Sequence, residues 1–328
     1  MQGWRPSVED ASICHVMPTH VLPQHALFCV LDGHGGNLAA EFAKEEFLDL
    51  LNETPDFQRY CQIVSPFIAS SKKKKSKAPS NKQIQEFALL LEKALTQSFV
   101  ELDRALYLQN YCEEGKGKVR VTAGSTAVAC LVTPFTVVCA NLGDCRAMLA
   151  SSGTSSPTAV TAKALSHDHL PDLETEKQRT VKAGGTVENG RVDGELAMSR
   201  ALGDFELKDI SLIMTKDDEY DGTNSEDLEQ LLQFAQQQKV TPYPEIQVHH
   251  LNETDRFLIL ACDGLWDVTS NDEMAEWTTG LLQQQHGNDT DLGRVCEQLL
   301  DLCYGRDSQD NMTIVLVVLE GGNKLIGK

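Results

Sequence analysis

Three runs of strand-forming residues in this 328-residue chain each end in, or begin from, an aspartate. Leu27-Phe28-Cys29-Val30-Leu31 leads into Asp32-Gly33-His34-Gly35-Gly36, and Phe257-Leu258-Ile259-Leu260-Ala261-Cys262 leads into Asp263-Gly264-Leu265-Trp266-Asp267. Asp310-Asn311 opens the run Met312-Thr313-Ile314-Val315-Leu316-Val317-Val318-Leu319. Strands apolar on both faces belong in the middle of a protein, where an unpaired carboxylate is costly. Three such acids, spread over nearly the whole chain, imply convergence on something cationic. Hard divalent ions such as Mg²⁺ or Mn²⁺ prefer oxygen ligands of this kind. The chain reads as a two-metal hydrolase.

The charge balance narrows the partners. With 29 Lys and Arg against 48 Asp and Glu, the net charge is −19, which argues against general nucleic-acid binding. A phosphorylated substrate stays open, because bound cations invert the potential locally. No apolar run reaches membrane-helix length, the N-terminus lacks a signal-peptide layout, and Gln2 removes the N-myristoylation pattern. No membrane partner is expected. Ten cysteines form no CxxC pair and no zinc spacing, and Cys29, Cys130, Cys139 and Cys262 sit in strand-like runs as small hydrophobes. A reducing compartment, cytoplasmic or nuclear, is expected.

Helical periodicity predicts helices over Leu38–Leu51 and Lys82–Leu108. Between them Lys72–Lys77 forms a basic stretch within an exposed loop spanning 71–81, read as a solvated loop with nuclear import as the alternative. Strands are predicted at Ser125–Val132, Thr136–Ala140 and Arg146–Ala150, then a helix at Leu173–Ala183 stopping at Gly184-Gly185. Residues 205–243 read as a flap plus an acidic and Gln-rich insert, Thr215–Lys239, with a helix at Ser225–Gln238. Glu245–Leu251 and Arg256–Cys262 follow as strands. A capping box at Ser270–Glu273 opens a helix to about Gln285, and Thr290–Cys303 is the last helix. Strands clustered in hairpin-like pairs and needing cover on both faces fit two antiparallel sheets packed between helical layers. The expected class is α+β, an αββα sandwich forming a single domain over residues 1–328.

Each motif alone carries a plain reading beside a sharper one. Asp32-Gly33 after a strand is either a turn or a metal site that backbone can approach closely. Arg5-Pro6-Ser7-Val8-Glu9-Asp10 is either a surface ion-pair patch or a phosphate-gripping guanidinium with two acids near metal. Asn141-Leu142-Gly143-Asp144-Cys145-Arg146 reads mainly as a tight hairpin, with Asp144 bracing the site from behind as the alternative. In His167-Asp168-His169, read as strand, neighbours point to opposite faces, so Asp168 is the one expected at an ion. Ser199-Arg200-Ala201-Leu202-Gly203-Asp204 is uninformative by itself.

Taken in order, these segments resemble the metal-dependent protein phosphatase family, the type 2C Ser/Thr phosphatases. The resemblance runs from Gln2-Gly3-Trp4-Arg5 with Glu9-Asp10 through Asp32-Gly33-His34-Gly35-Gly36, Gly124-Ser125-Thr126-Ala127 and Asn141–Arg146. It continues through His167-Asp168-His169, Asn189-Gly190-Arg191-Val192 and Leu196–Asp204 to Asp263–Asp267 and Asp310-Asn311. It spans essentially the whole chain.

The resemblance implies two firmly held Mn²⁺ or Mg²⁺ ions and a looser third. Asp32 would bridge the first two, Asp263 and Asp310 would complete one, and the Gly33 carbonyl with Glu9 would serve the other. Asp168 with Asp263 would hold the third, while Asp10, Asp144, Asp267 and Asn311 support these ligands. Arg5 would bind the substrate phosphate. A hydroxide bridging the ions would attack phosphorus directly, and His34 would protonate the leaving serine or threonine oxygen. Phosphorylated proteins are the implied partners, and a monomer is expected.

Three departures and two rivals stand beside this, the basic Lys72–Lys77 loop being one departure. Family members usually carry a short strand before the Gln-Gly-Trp-Arg segment, so the Arg5 end is expected to be frayed here. The Thr215–Lys239 insert follows Gly203-Asp204-Phe205, where the family carries its substrate-facing flap, and its acidity would repel acidic phosphosites. One rival is a catalytically weak, phosphatase-like regulatory scaffold, disfavoured because none of the site residues is lost. The other is a metal-dependent nuclease or phosphodiesterase, disfavoured by the net charge.

Overall fold

The computed structural model describes residues 1–325 apart from Thr19, 69–77, 112–121, 154–155, 213–224 and 286–290. In chain order the first half contains β1 (Ala11–Val16), β2 (Ala26–His34), α1 (Leu38–Glu53), α2 (Pro55–Val64), α3 (Asn81–Tyr111), β3 (Gly124–Val132), β4 (Thr136–Leu142), β5 (Arg146–Gly153) and β6 (Ser156–Ala164). The second contains α4 (Glu174–Lys182), the short strands β7 (Val187–Glu188), β8 (Arg191–Val192) and β9 (Leu202–Gly203), and α5 (Ser225–Gln236). It closes with β10 (Glu245–His250), β11 (Asp255–Ala261), α6 (Asp263–Trp266), α7 (Asn271–Gln284), α8 (Leu292–Tyr304) and β12 (Ile314–Val318).

Ten of these strands form two antiparallel sheets packed face to face, and β7 pairs with β8 in a separate hairpin. The larger has the order β1-β2-β3-β4-β10 with β9 on the end of β3, and the smaller has the order β12-β11-β5-β6. Alternation along β2 shows why the sheets need cover on both sides. Leu27, Cys29 and Leu31 pack with α1, α2 and α3, whereas Phe28 and Val30 join the core shared with the smaller sheet. Helices α7 and α8 complete that second core through Met274, Ala275, Leu282, Val295 and Leu299. This is the αββα sandwich. The same alternation turns Asp32 toward the space between the sheets, at one end of the sandwich.

Local signals explain several boundaries. Ser270 Oγ accepts from the Glu273 N–H, and the Glu273 carboxylate accepts from the Ser270 N–H, which is the capping box expected at the start of α7. Thr54 caps α2 and Pro55 takes its first position, a start signal that the sequence carried but whose helix was not anticipated. Strands β1 and β6 and the β7–β8 hairpin were also not anticipated. The helix expected over Ser225–Gln238 is α5, while Lys72–Lys77 and the acidic stretch 213–224 lie outside the described residues. Among the described residues, no helix is long and apolar enough to cross a membrane.

Candidate active site

The end of the sandwich where β2 and β11 terminate holds a cleft of about 250 Å³. Arg5, Glu9, Asp32, Gly33, His34, Asp263, Asp310 and Asn311 all line it. Residues from both ends of the chain and from both sheets therefore meet, as convergence of the strand-end acids requires.

Local structure brings them close. Asp32 and His34 belong to β2, and Asp263 is the first residue of α6, directly after β11. A Cβ on Gly264 would lie 2.0 Å from the Asn311 carbonyl, so glycine is what lets α6 approach the Asp310 loop. The N-terminal segment is pinned rather than frayed. Asn311 donates through Nδ2 to the carbonyls of Gln2 (2.8 Å) and Ser7 (3.0 Å), and its Oδ1 accepts from the Glu9 N–H at 2.9 Å. Met1 and Met312 exchange two further hydrogen bonds. Asn311 is thus the clasp that carries Arg5 and Glu9 to the site. Arg5 Nη2 donates to Asp310 Oδ2 at 2.5 Å.

The acids crowd one another. Ligand atoms of Asp32, Cys262 and Asp263 lie within 4.8 Å of each other. Burial, and next the charge of Asp263, push the Asp32 carboxyl well above the ordinary carboxylate range. Burial also lifts Asp263 to about 6, and burial together with the Asp263 charge lifts Asp144 to about 7. Asp10 Oδ1, Asp144 Oδ1 and Asp263 Oδ1 are buried without a hydrogen-bond partner. Several kcal/mol of unfavourable burial, on the order of 1–3 per orphaned group, is concentrated here. Divalent cations with a taste for oxygen would relieve it, and the donor set of carboxylates and carbonyls fits Mg²⁺ or Mn²⁺. Cys262 does not alter that reading. Its thiol is driven up by burial, donates to the Asn311 carbonyl (3.4 Å) and accepts from the Thr313 N–H (3.1 Å), so it staples β12 as a neutral group.

The remaining expected residues lie just behind the cleft. Asp10 Oδ2 accepts from Thr313 Oγ1 at 2.7 Å, and the Asp267 N–H donates to the Asp263 carbonyl at 2.8 Å. Asp168 does not line the cleft. Arg146 holds it bidentately, with Nε to Oδ1 at 2.6 Å and Nη2 to Oδ2 at 2.7 Å. The strand reading of His167-Asp168-His169 needs correction, because the segment has no regular structure. Both flanking histidines turn to one carboxylate instead: His167 Nδ1 and His169 Nε2 lie 2.8 and 3.3 Å from the two oxygens of Glu245.

One residue beside the cleft stands in the sequence only as the end of the Leu196–Asp204 segment, with no role expected for it. Asp204 accepts from His34 Nε2, with both oxygens at 2.9 Å. Burial pulls the His34 pKa down, but the Asp204 hydrogen bond and the charges of Asp204, Asp144 and Glu9 outweigh it, leaving the imidazole above its ordinary value.

A guanidinium and an imidazole beside a cleft of uncompensated acids suit a phosphate ester. Known proteins agree. The sequence profile described as "Protein phosphatase 2C" matches residues 1–312. The chain belongs to the protein phosphatase 2C family. The members of that family are serine/threonine protein phosphatases. Similarity reaches 33% identity over 99% of the chain with protein phosphatase 1B of Bos taurus, of which it covers 56%. It reaches 32% over 99% with protein phosphatase 2C homolog 2 of Schizosaccharomyces pombe, of which it covers 73%. Among solved structures, the serine-threonine phosphatase 2C of Toxoplasma gondii superposes with a TM-score of 0.70 at 22% identity, covering 96% of this chain and 92% of that one. A sex-determining protein of C. elegans superposes with a TM-score of 0.65 at 20% identity, covering 99% and 64%. These two likenesses establish a shared fold.

Proposed function

We propose that the chain is a metal-dependent phosphatase that removes phosphate from phosphoserine and phosphothreonine in proteins. The observation that carries this reading is the grouping of Arg5 and His34 around the Asp32–Asp263 carboxyl pair in one cleft. Asp32, Asp263 and Asp310, with the Gly33 carbonyl and Glu9, would hold two Mn²⁺ or Mg²⁺ ions. Asp168, released from Arg146, would join Asp263 at a third. Cations so held supply an acidified water as nucleophile and positive charge for the phosphoryl oxygens.

The chain's own residues do the rest. Arg5 is more than half exposed, and its planar fork suits two phosphate oxygens as well as it suits Asp310. Exchanging Asp310 for phosphate orients the ester and offsets charge that grows in the transition state. His34 stands at the end of β2 and delivers a proton to the serine or threonine oxygen as the P–O bond breaks. An alkoxide is a poor leaving group, so this step matters most for the physiological esters.

Hydrolysis of a phosphothreonine peptide in Mn²⁺, abolished by chelation, tests the reading. No hydrolysis with either Mn²⁺ or Mg²⁺ would overturn it in favour of a non-catalytic scaffold. His34→Ala is expected to slow the peptide by about 10²-fold or more while sparing aryl phosphates with good leaving groups. Equal slowing of both would remove His34 from the acid role.

A further inference from the structure

His34 is held by a built device. Its partner Asp204 is 170 residues away and 7% exposed, against 27% for the His34 side chain, and Asp204 does not line the cleft. Asp204 has left-handed backbone, with φ of 50°, which Asp, Asn and Gly adopt more readily than other residues. It directly follows β9, which pairs with the start of β3 through Gly124↔Gly203 and Ser125↔Leu202. Gly124 lies under the imidazole–carboxylate contact. A Cβ there would sit 2.2 Å from Asp204 Oδ2 and 2.4 Å from His34 Nε2, so the pair exists only because residue 124 lacks a side chain.

The far side of β9 is clamped as well. Asp103 of α3 accepts from the Gly203 N–H at 2.8 Å and from Lys208 Nζ at 2.7 Å, and Lys208 also donates to the Ala201 carbonyl at 2.9 Å. The Asp103 and Lys208 side chains are 2% and 0% exposed. A buried ion pair of this kind adds little net stability, and its worth lies in fixing geometry. Here the backbone on both flanks of Asp204 is the geometry being fixed.

We propose that Asp204 is the positioning residue for His34, accepting the Nε2–H so that the ring is oriented with Nδ1 as the nitrogen that serves the leaving oxygen. This rests on the phosphatase reading and on His34 as its acid. As the P–O bond breaks, its electron pair goes to the leaving oxygen, which takes the proton from Nδ1. The histidine is left neutral, with its remaining proton on Nε2 still bonded to Asp204. Carboxylates that fix a histidine tautomer in this manner act through orientation.

The test compares Asp204→Gly, Asp204→Asn, His34→Ala and the Asp204→Gly/His34→Ala double variant. Glycine and asparagine both tolerate the left-handed backbone, so neither is expected to disturb β9, and thermal unfolding checks this. Substrates are a phosphothreonine peptide and aryl phosphates graded by leaving-group acidity, assayed with Mn²⁺. Asp204→Gly should lower kcat on the peptide by about 10²-fold, within the range for losing a general acid, leave KM unchanged, and change the most activated aryl phosphate by only a few fold. Asp204→Asn should recover most of the loss, because its carboxamide oxygen still accepts the Nε2–H. The double variant should be no slower than His34→Ala alone. Equal slowing of all substrates, failure of asparagine to recover activity, or multiplicative losses in the double variant would each overturn the proposal. Should wild type hydrolyse the peptide while Asp204→Gly matches it, the positioning role alone fails; should wild type hydrolyse nothing, the phosphatase reading fails.

Discussion

Replacing Asp144 with asparagine is expected to stabilise the metal-free protein. The Asp144 carboxyl is pushed up to about 7 from an ordinary 3.8, first by burial and then by the nearby charge of Asp263. One of its oxygens is buried without a partner. The folded state therefore keeps a proton between roughly pH 4 and 7 that the unfolded chain has released. Stability tied to this group is complete below about pH 4 and is lost as the pH rises through about 7. At 1.36 kcal/mol for each pH unit, the loss reaches at most about 4 kcal/mol. The asparagine side chain carries no charge at any pH, so the variant escapes it.

Urea unfolding followed by tryptophan fluorescence reads this directly. In EDTA, the advantage of Asp144→Asn over wild type should grow from about 1–2 kcal/mol at pH 5 to about 4 kcal/mol at pH 8. With a denaturant slope of roughly 3 kcal/mol per molar, that is a midpoint shift of about 1 M. Comparing variant with wild type at each pH cancels the groups that do not sense Asp144, including His25 and His169, whose lowered pKa values act in the opposite direction. In saturating Mn²⁺ the difference should shrink or reverse, because cations compensate the acids of the folded wild type alone. A variant no more stable than wild type at pH 8 in EDTA, or an advantage independent of pH, would refute the reasoning.

Other perturbations follow from the same geometry. Asp263→Asn should nearly abolish Mn²⁺-dependent turnover and weaken Mn²⁺ binding, with calorimetric titration as the check. Glu176 is buried, which disfavours its charge, yet Arg200, Arg179 and Ser199 hold it down to about 2. Its contribution is present above an ordinary pKa near 4.5 and lost as the pH falls through 2, so Glu176→Gln should lose about 3 kcal/mol at pH 7 and almost nothing at pH 2 in urea titrations. Lys208→Met strands the buried Asp103 carboxylate and should cost about 3–5 kcal/mol of unfolding free energy, most of it restored by adding Asp103→Leu.

The legible parts of the fold were those where one periodicity governs both faces of an element. Strands β2, β3, β4 and β11 are buried along most of their length, so their sequences are nearly continuous apolar runs with abrupt ends. Edge strands lack that signature. Strand β1 alternates buried and exposed positions through Ala11, Ser12, Ile13 and Cys14, and β6 carries Pro157 and Lys163 on an outer strand. The site was legible because its acids and glycines sit at the abrupt ends. The pairing of Asp204 with His34 was hidden for the opposite reason. Asp204 has no period, and its partner is chosen by β9 closing onto β3, a contact between positions near 124 and 203 that no local pattern encodes. The two histidines flanking Asp168 misled because a loop lets both turn the same way, to Glu245.

The acids that identify the site also work against the fold that displays them. Asp32 enters from the larger sheet, while Asp263 and Asp310 come from the ends of β11 and β12 in the smaller one. Their mutual repulsion acts across the inter-sheet seam, where Val30, Val128 and Cys130 of the larger sheet share one core with β11 of the smaller. The apolar seam is what allows like charges to be kept close, since it resists the separation that would relieve them. The clasp through Asn311 and the Arg5–Asp310 pair then seal the open end. A stability optimum would neutralise Asp32, Asp263 and Asp144, and the resulting protein would have nothing to offer a cation. Three buried carboxyl oxygens without partners, on Asp10, Asp144 and Asp263, gather at this end of the sandwich, where the rules for burial are broken for the sake of the site.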